Sequence, residues 1–460
     1  MNEQSEQIII AGAGLAGSLL SVYLAQRGFA VDVYEQRPDM RRVDISAGRS
    51  INLALSTRGI FALSEVGLKD EVMQLAIPMR GRMIHAVDGS LTFQPYGKDD
   101  SEVIYSVSRG ELNMRMMTLA EGHPDVRLHF GQRCDGVDFT TGTARFVDDE
   151  SGESYSRSGA TIIGTDGAGS AIRTAMQRLG HFDVTQEFLE HGYKELSIPP
   201  ADDGSHRIDV NALHIWPRRS FMLIALPNLD GSFTCTLFLQ HTGDPGFEEL
   251  NSPERIHGFF QQEFPDALPL MPTLVEDFME NPVGQLGTVR CTPWHVGGMA
   301  VLLGDAAHAI VPFYGQGMNC SFEDCTVLNN CIDEFGQDWE RVFHVFQKRR
   351  KANADAIADL ALANFIEMRD SVADARFLLM KKVGLALEER FPEYFVPQYA
   401  MVTFHRIPYA AALARGKLQH SILEQLTEGV TDPAEVDFAK AESLITETLR
   451  PYAEDMTLFT

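Results

Sequence analysis

The chain has 460 residues, 44% of them hydrophobic and 22% charged, the composition of a globular protein with a sizeable core and one to three domains. Its formal net charge of −25 argues against nucleic acid and anionic membrane surfaces as partners. No run of 18 apolar residues occurs, and the six cysteines show no C-x-x-C spacing, which sets aside a membrane span, a zinc site and thioredoxin-like chemistry.

Reading from the start, an apolar run at 8–10 predicts a strand. Gly12, Gly14 and Gly17 follow as G-x-G-x-x-G. Residues 15–27 read as a helix, and 30–34 as a second strand ending in Glu35. This is the order of a dinucleotide-binding βαβ unit. Gly12 makes the tight turn, Gly14 lets backbone approach a pyrophosphate, and Gly17 lets helix pack on strand. The helix start at Leu15 and Ala16 offers free N–H groups to phosphate. Glu35 can accept from ribose hydroxyls.

A middle segment at 106–173 ends in another apolar strand and glycine turn containing Asp166. Residues 220–226 and 233–239 are apolar, aromatic-rich runs joined through Asp230-Gly231, a strong hairpin signal. Alternation puts Met222, Ile224 and Leu226 on one face of the first strand, and Thr236 and Phe238 on one face of the second. Such a face can roof a flat aromatic ligand or pack on a helix layer.

Residues 302–308 form a third strand-to-turn signal ending in G-D-A-A-H, with Asp305 placed to bind a ribityl hydroxyl. For His308 the reading is a cofactor contact at a helix start, not catalysis or metal binding. The glycine-rich loop 312–319 leads into a helix at 320–335, whose N-terminus can stabilise negative charge on a reduced flavin. Residues 339–382 read as mainly helical, with 364–368 in the middle, and the stretch from 415 onward is helical and polar.

The order of the three glycine turns resembles the single-component aromatic flavin monooxygenases of the para-hydroxybenzoate hydroxylase type. The segments G-R-S-I-N-L-A-L-S (48–56), R-G-R-M-I-H (80–85), Q-P-Y-G (94–97), H-G-Y-K-E-L (191–196), H-I-W-P (214–217) and M-V-T-F (401–404) narrow it to the kynurenine 3-monooxygenase branch, from near the first residue to about 420. The resemblance implies an α/β fold in three parts. A discontinuous Rossmann-type FAD domain takes in 1–75, 98–190 and 290–335. An interleaved antiparallel-sheet substrate domain takes in 76–97 and 191–289. A helical region, 336–460, packs across the pocket mouth.

It implies non-covalent FAD, NADPH as a transient co-substrate, and hydroxylation of L-kynurenine by O2 through a flavin C4a-hydroperoxide. Cofactor contacts are expected from Gly12, Gly14, Leu15, Ala16, Gly17, Glu35, Ala54, Arg109, Asp166, Asp305, Gly317, Met318 and Asn319. Pro312, Phe313 and Gly315 are expected between flavin and ring, with the role of Tyr314 open. A carboxylate clamp is expected from Arg82, Tyr96, Asn364 and Tyr399. Glu367, three residues after Asn364, either receives the α-ammonium or holds Arg82. Met222, Ile224, Leu226, Thr236 and Phe238 complete the substrate list.

No catalytic triad or metal is expected. Another anionic aromatic substrate is the alternative reaction, and a flavin-bearing sensor is the alternative class. A halogenase would need a W-x-W-x-I-P segment, which is absent. The polar start 1–7 lacks a signal-peptide pattern and the tail 451–460 lacks an apolar anchor, so a soluble cytoplasmic protein is expected. Oligomeric state stays open, a homodimer included.

Overall fold

The computed structural model describes residues 7–43, 52–371 and 374–453; residues 48–51 of the first specific motif, most of the polar start and the tail from 454 lie outside them. The chain divides into two compact units. One comprises 1–75, 107–188 and 287–358, the other 76–106, 189–286 and 359–460.

The first unit is built on a six-stranded sheet ordered His295–Val296, Ala300–Leu302, Thr161–Gly164, Ile8–Ala11, Val31–Glu35, Val126–Phe130. All neighbours are parallel except the first pair. Strand Ile8–Ala11 is wholly buried, as its unbroken apolar run demands of a central parallel strand. It feeds helix Leu15–Gln26, which packs beside the strand because Gly17 has no side chain. A Cβ there would stand 1.9 Å from the Gly12 carbonyl oxygen. Helices Arg109–Glu121 and Ala171–Gln177 start at serines whose side chains accept from Glu111 N and Arg173 N.

In the second unit a sheet runs through Leu91–Pro95, Gly81–His85, Ala212–Arg218, Phe221–Pro227, Phe233–Gln240 and residues 191–198. Only Gly81–His85 and Ala212–Arg218 pair in parallel. The expected hairpin is present, its first strand shifted by one residue and its second one residue longer at the far end. Its register sets Met222 opposite Phe238 and Ile224 opposite Thr236. Leu226 lies opposite Thr234. The other face buries Trp216, Leu223 and Leu237 against Phe260, Phe264 and Phe278 of the helices behind.

Helix Trp339–Ile366 does not continue to 382. At Glu367 it widens into a π-helical turn, Glu367–Ser371, and a new helix, Ala375–Arg390, starts at Asp374, which caps Phe377 N at 2.9 Å. Helices Ala375–Arg390, Tyr409–Leu426 and Phe438–Thr448 share a core of Val383, Leu387, Phe395, Ile422 and Ile445.

Two of the specific motifs meet on the sheet face away from Arg82. His85 Nε2 lies 2.8 Å from His214 Nδ1, and His85 Nδ1 lies 2.7 Å from Asp266 Oδ2. Trp216 Nε1 donates to the same Asp266 oxygen. His214 Nε2 sits 2.7 Å from the Asp209 carbonyl, which can only accept, so Nδ1 is left as an acceptor. Burial pushes the His214 pKa down to about 4.

The unfolded imidazole titrates near 6.5. This group's contribution is therefore complete above pH 6.5 and is lost as pH falls toward 4. Lowering pH from 7 to 5 should cost about 2 kcal/mol through His214 alone. Urea melts of the parent and His214→Gln at both pH values check this. An equal pH slope in the two proteins refutes it.

Candidate functional site

The first unit holds a cavity of about 790 Å³ where its three glycine turns converge. Of the expected cofactor residues, Gly12, Gly14, Leu15, Ala16, Glu35, Ala54, Arg109, Asp166, Asp305, Gly317 and Met318 line it, with Pro312 and Gly315. Gly17 and Asn319 do not: Gly17 packs helix on strand. Asn319 is fully buried and ties the walls together, accepting from Ser56 N and donating to the Ala54 and Gly315 carbonyls at 2.8 and 2.9 Å. Phe313 and Tyr314 are buried in the short helix Pro312–Tyr314 and are not among the lining residues.

The walls fit an adenine dinucleotide. A Cβ on Gly12, at φ +97°, would press on Thr165 backbone at 2.6 Å, and one on Gly315 would press on Ala54 at 2.9 Å. At Gly14 a Cβ would meet nothing within 4 Å, so that position faces open space at the helix start. Asp166 Oδ2 accepts from Ala171 N at 2.8 Å, but its buried Oδ1 has no hydrogen-bond partner among the described residues. Burial pushes this carboxyl up. Glu35 is buried and already organised: Oε2 accepts from Ala13 N at 2.8 Å, and Oε1 from Arg37 N and Nε at 3.0 and 2.7 Å. Oε2 keeps a free lone pair for a hydroxyl donor.

The G-D-A-A-H turn is pinned from behind. Asp324 Oδ2 accepts from Gly304 N at 3.1 Å and lies 2.6 Å from His308 Nε2, while Arg350 Nε donates to Oδ1 at 2.6 Å. Arg350 also pairs with Glu323, which pairs with Arg58. Arg173 Nη1 donates to the Ala306 carbonyl at 2.7 Å. His308 therefore closes a buried ion network at the end of helix Asp305–His308 and is a holding residue for the turn, not its starting residue. His308, Cys320 and Asp324 come within 4.8 Å of one another, but Arg350 already supplies the cation there and burial keeps the Cys320 thiol protonated.

The expected clamp lies in the second unit. Arg82 is 3% exposed. Its Nη1 donates to Glu367 Oε1 at 3.1 Å, and its Nε is buried without a partner among the described residues. The Tyr96 and Tyr399 rings stack at 5.2 Å, and the guanidinium carbon lies 5.6 and 5.4 Å from their centroids. Burial opposes the charge on Arg82, but Glu367 and the two tyrosines more than offset it and hold the proton more firmly than usual. Burial pushes the Tyr96 phenol up. Asn364 is buried one turn before Glu367, with Nδ2 donating to Met368 Sδ at 3.3 Å.

By strand alternation Arg82 shares its sheet face with Ile224, Met222, Thr236 and Phe238. Thr236 Oγ1 on that face is buried with no partner among the described residues. The same register adds Leu213, opposite Arg82, and Ile215, opposite Ile224, neither of them anticipated from the sequence. Their signal was the alternation of the H-I-W-P strand, legible only once its partner is known. Lys381 was also missed. It interacts electrostatically with Arg82 and Glu367, and burial, then Arg82, push its ammonium down to about 8.

Comparison with known proteins follows the same lines. A model of the FAD binding domain family matches residues 5–361. The chain is 51% identical over 452 residues to the kynurenine 3-monooxygenase of Myxococcus xanthus, covering 98% of this chain and 97% of that one. It is 50% identical over 441 residues to that of Stenotrophomonas maltophilia, covering 96% of each. Solved structures with this fold include 2-methyl-3-hydroxypyridine-5-carboxylic acid oxygenase, with TM-score 0.64 and 19% identity over 81% of this chain and 95% of that one. PqsL from P. aeruginosa is similar at TM-score 0.64 and 20% identity, over 80% and 97% of the two chains.

Proposed function

The chain belongs to the kynurenine 3-monooxygenase family of FAD-binding-domain proteins, and we propose that it hydroxylates L-kynurenine at ring carbon 3, consuming NADPH and O2. The observation that carries the substrate reading is the buried Arg82, held by one glutamate between two stacked tyrosines, on a sheet face that also carries Leu213, Ile215, Met222, Ile224 and Phe238. A planar guanidinium suits an α-carboxylate. The apolar face suits an aniline ring, and the unpartnered Thr236 hydroxyl offers it one polar contact.

The unit containing 1–75, 107–188 and 287–358 would hold FAD and the other unit the substrate. Gly12, Gly14 and the helix start would take the pyrophosphate, Glu35 the ribose, and Asp305 the ribityl chain. Asp166 Oδ1 would accept from the cofactor. When bound, FAD takes electrons from NADPH and delivers one oxygen atom of O2 to the ring. The chain's own residues bind the amino-acid end, orient the ring and exclude water. On substrate entry the carboxylate would take the place of Glu367 on Arg82, freeing Glu367 for the α-ammonium or for Lys381.

NADPH oxidation with product analysis tests the reading. One 3-hydroxykynurenine per NADPH is expected with L-kynurenine. Peroxide alone, or better coupling with a hydroxybenzoate or anthranilate, would favour the other anionic-aromatic reading. No second G-x-G-x-x-G is present for a standing NADPH site. Flavin reduction by NADPH is therefore expected to accelerate at least tenfold when kynurenine saturates the clamp. Stopped-flow rates indifferent to kynurenine would refute this.

A further inference from the structure

The first glycine turn is gripped from behind by residues outside its motif. Ser18 Oγ and Asn113 Nδ2 donate to the Ala13 carbonyl at 3.0 and 3.2 Å. Thr165 Oγ1 lies 2.9 and 2.8 Å from the Ala11 and Gly12 carbonyls and shares its one proton between them. Thr165 N also donates to the Ala11 carbonyl. Asn113 reaches Ala13 across 100 residues, from helix Arg109–Glu121. Thr165 reaches Gly12 across 153, from the end of strand Thr161–Gly164. Both side chains are buried.

These bonds fix two successive peptide planes. In a trans peptide the C=O and the N–H point to opposite sides. The Gly12–Ala13 plane is held at both ends, its carbonyl by Thr165 and its N–H by Glu35 Oε2. The Ala13–Gly14 plane is held at its carbonyl alone. Its other end, the Gly14 N–H, has no partner among the described residues, and Gly14 lines the cavity. An N–H at the start of helix Leu15–Gln26 is a phosphate donor, and the grip on the Ala13 carbonyl sets its direction.

Folding alone does not call for Asn113. Its Oδ1 is buried with no partner among the described residues, and Nδ2 otherwise meets only Met40 Sδ at 3.4 Å. A buried acceptor left unmade disfavours the fold, and Ser18 already satisfies the Ala13 carbonyl. A leucine would fill the same space without that cost. What leucine cannot supply is the second hold on the Ala13–Gly14 plane.

We propose that Asn113 and Thr165 are positioning residues for the cofactor's pyrophosphate. Thr165 keeps the Ala13 N–H on Glu35, and Asn113 keeps the Gly14 N–H turned to the phosphates. Asn113 is not among the residues lining the cavity and acts through the Ala13 carbonyl. The proposal rests on the pyrophosphate lying at Gly14.

The test combines FAD affinity, apoprotein melting and phosphorus NMR of the FAD-saturated protein. Thr165→Val should weaken FAD binding at least tenfold, and Thr165→Ser, which keeps the hydroxyl, should restore most of it. Asn113→Leu should weaken FAD binding several-fold while the apoprotein melts no lower than the parent. The phosphorus resonances of bound FAD should move in both weakened proteins. Gly14→Ala separates the proposal from the reading beneath it. Parent-like FAD affinity in Gly14→Ala overturns both. Lost affinity in Gly14→Ala with parent-like affinity in Asn113→Leu overturns the positioning role alone. Thr165→Ser no better than Thr165→Val also overturns it, as do unmoved phosphorus resonances with affinity and melting temperature falling together.

Discussion

Gly14→Ala is expected to yield a folded, nearly colourless protein, whereas Gly17→Ala is expected to lose both cofactor and stability. The two glycines belong to one motif but do different jobs. Gly14 has φ −68° and ψ −173°, a conformation alanine adopts freely, and its Cβ would meet no protein atom within 4 Å. The methyl would instead meet the cofactor's phosphates, so FAD affinity should fall tenfold or more, about 1.4 kcal/mol, with the apoprotein melting as the parent does. At Gly17 the same methyl would sit 1.9 Å from the Gly12 carbonyl and 2.5 Å from Thr165 Oγ1. Backbone cannot yield as a side-chain end can, so the helix must lift, at about 1–3 kcal/mol or more. Flavin absorbance per protein and apoprotein melts measure the two effects separately. Parent-like FAD content in Gly14→Ala would show that the cavity does not take the pyrophosphate.

Arg82→Ala is expected to lose kynurenine affinity by about 2–5 kcal/mol, with FAD content unchanged. The substitution strips the buried carboxylate of its fork and leaves Glu367 without its partner. Arg82→Lys restores charge but not planarity and should recover only part. Tyr96→Phe and Tyr399→Phe delete single donors and should each cost less, about 1.5–3 kcal/mol. Lys381, which interacts electrostatically with Arg82 and Glu367, remains as a cation. Arg82 is one of the two causes that push the Lys381 ammonium down to about 8, so in Arg82→Ala it should titrate higher and residual binding should fall only as pH rises above 8. Binding can be followed by flavin fluorescence or stimulated reduction. Parent-like kynurenine affinity together with lost FAD would make Arg82 a cofactor or structural residue.

Much of the cofactor site was legible along the chain because its demands are local. A strand, three glycines, a helix and an acidic strand end lie within 28 residues, from Ile8 to Glu35, and backbone sterics dictate each step. The alternation of Met222, Ile224, Thr236 and Phe238 likewise needed only a hairpin turn, here Asp230-Gly231 with Gly231 at φ +88°. The stretch 339–382 is mainly helical, as its spacing indicates, but the break inside it was hidden for an equally local reason. Its apolar spacing persists through residue 368, so the π-helical turn at Glu367 leaves no mark in the periodicity.

What depends on packing was not legible. Asn319 reads as a cofactor residue from its motif, yet its side chain is consumed by Ser56, Ala54 and Gly315. Arg82 meets Glu367 across 285 residues, and His85 meets His214 across 129. The sequence by itself determined the βαβ unit, the hairpin and its faces, since these follow from φ/ψ preferences and side-chain period over a few residues. Only the tertiary structure decided which charge pairs with which, that His308 answers to Asp324, and that Lys381 interacts with Arg82 and Glu367. Those pairings are set by strand register and helix packing, where a shift of one residue would turn each side chain to the opposite face.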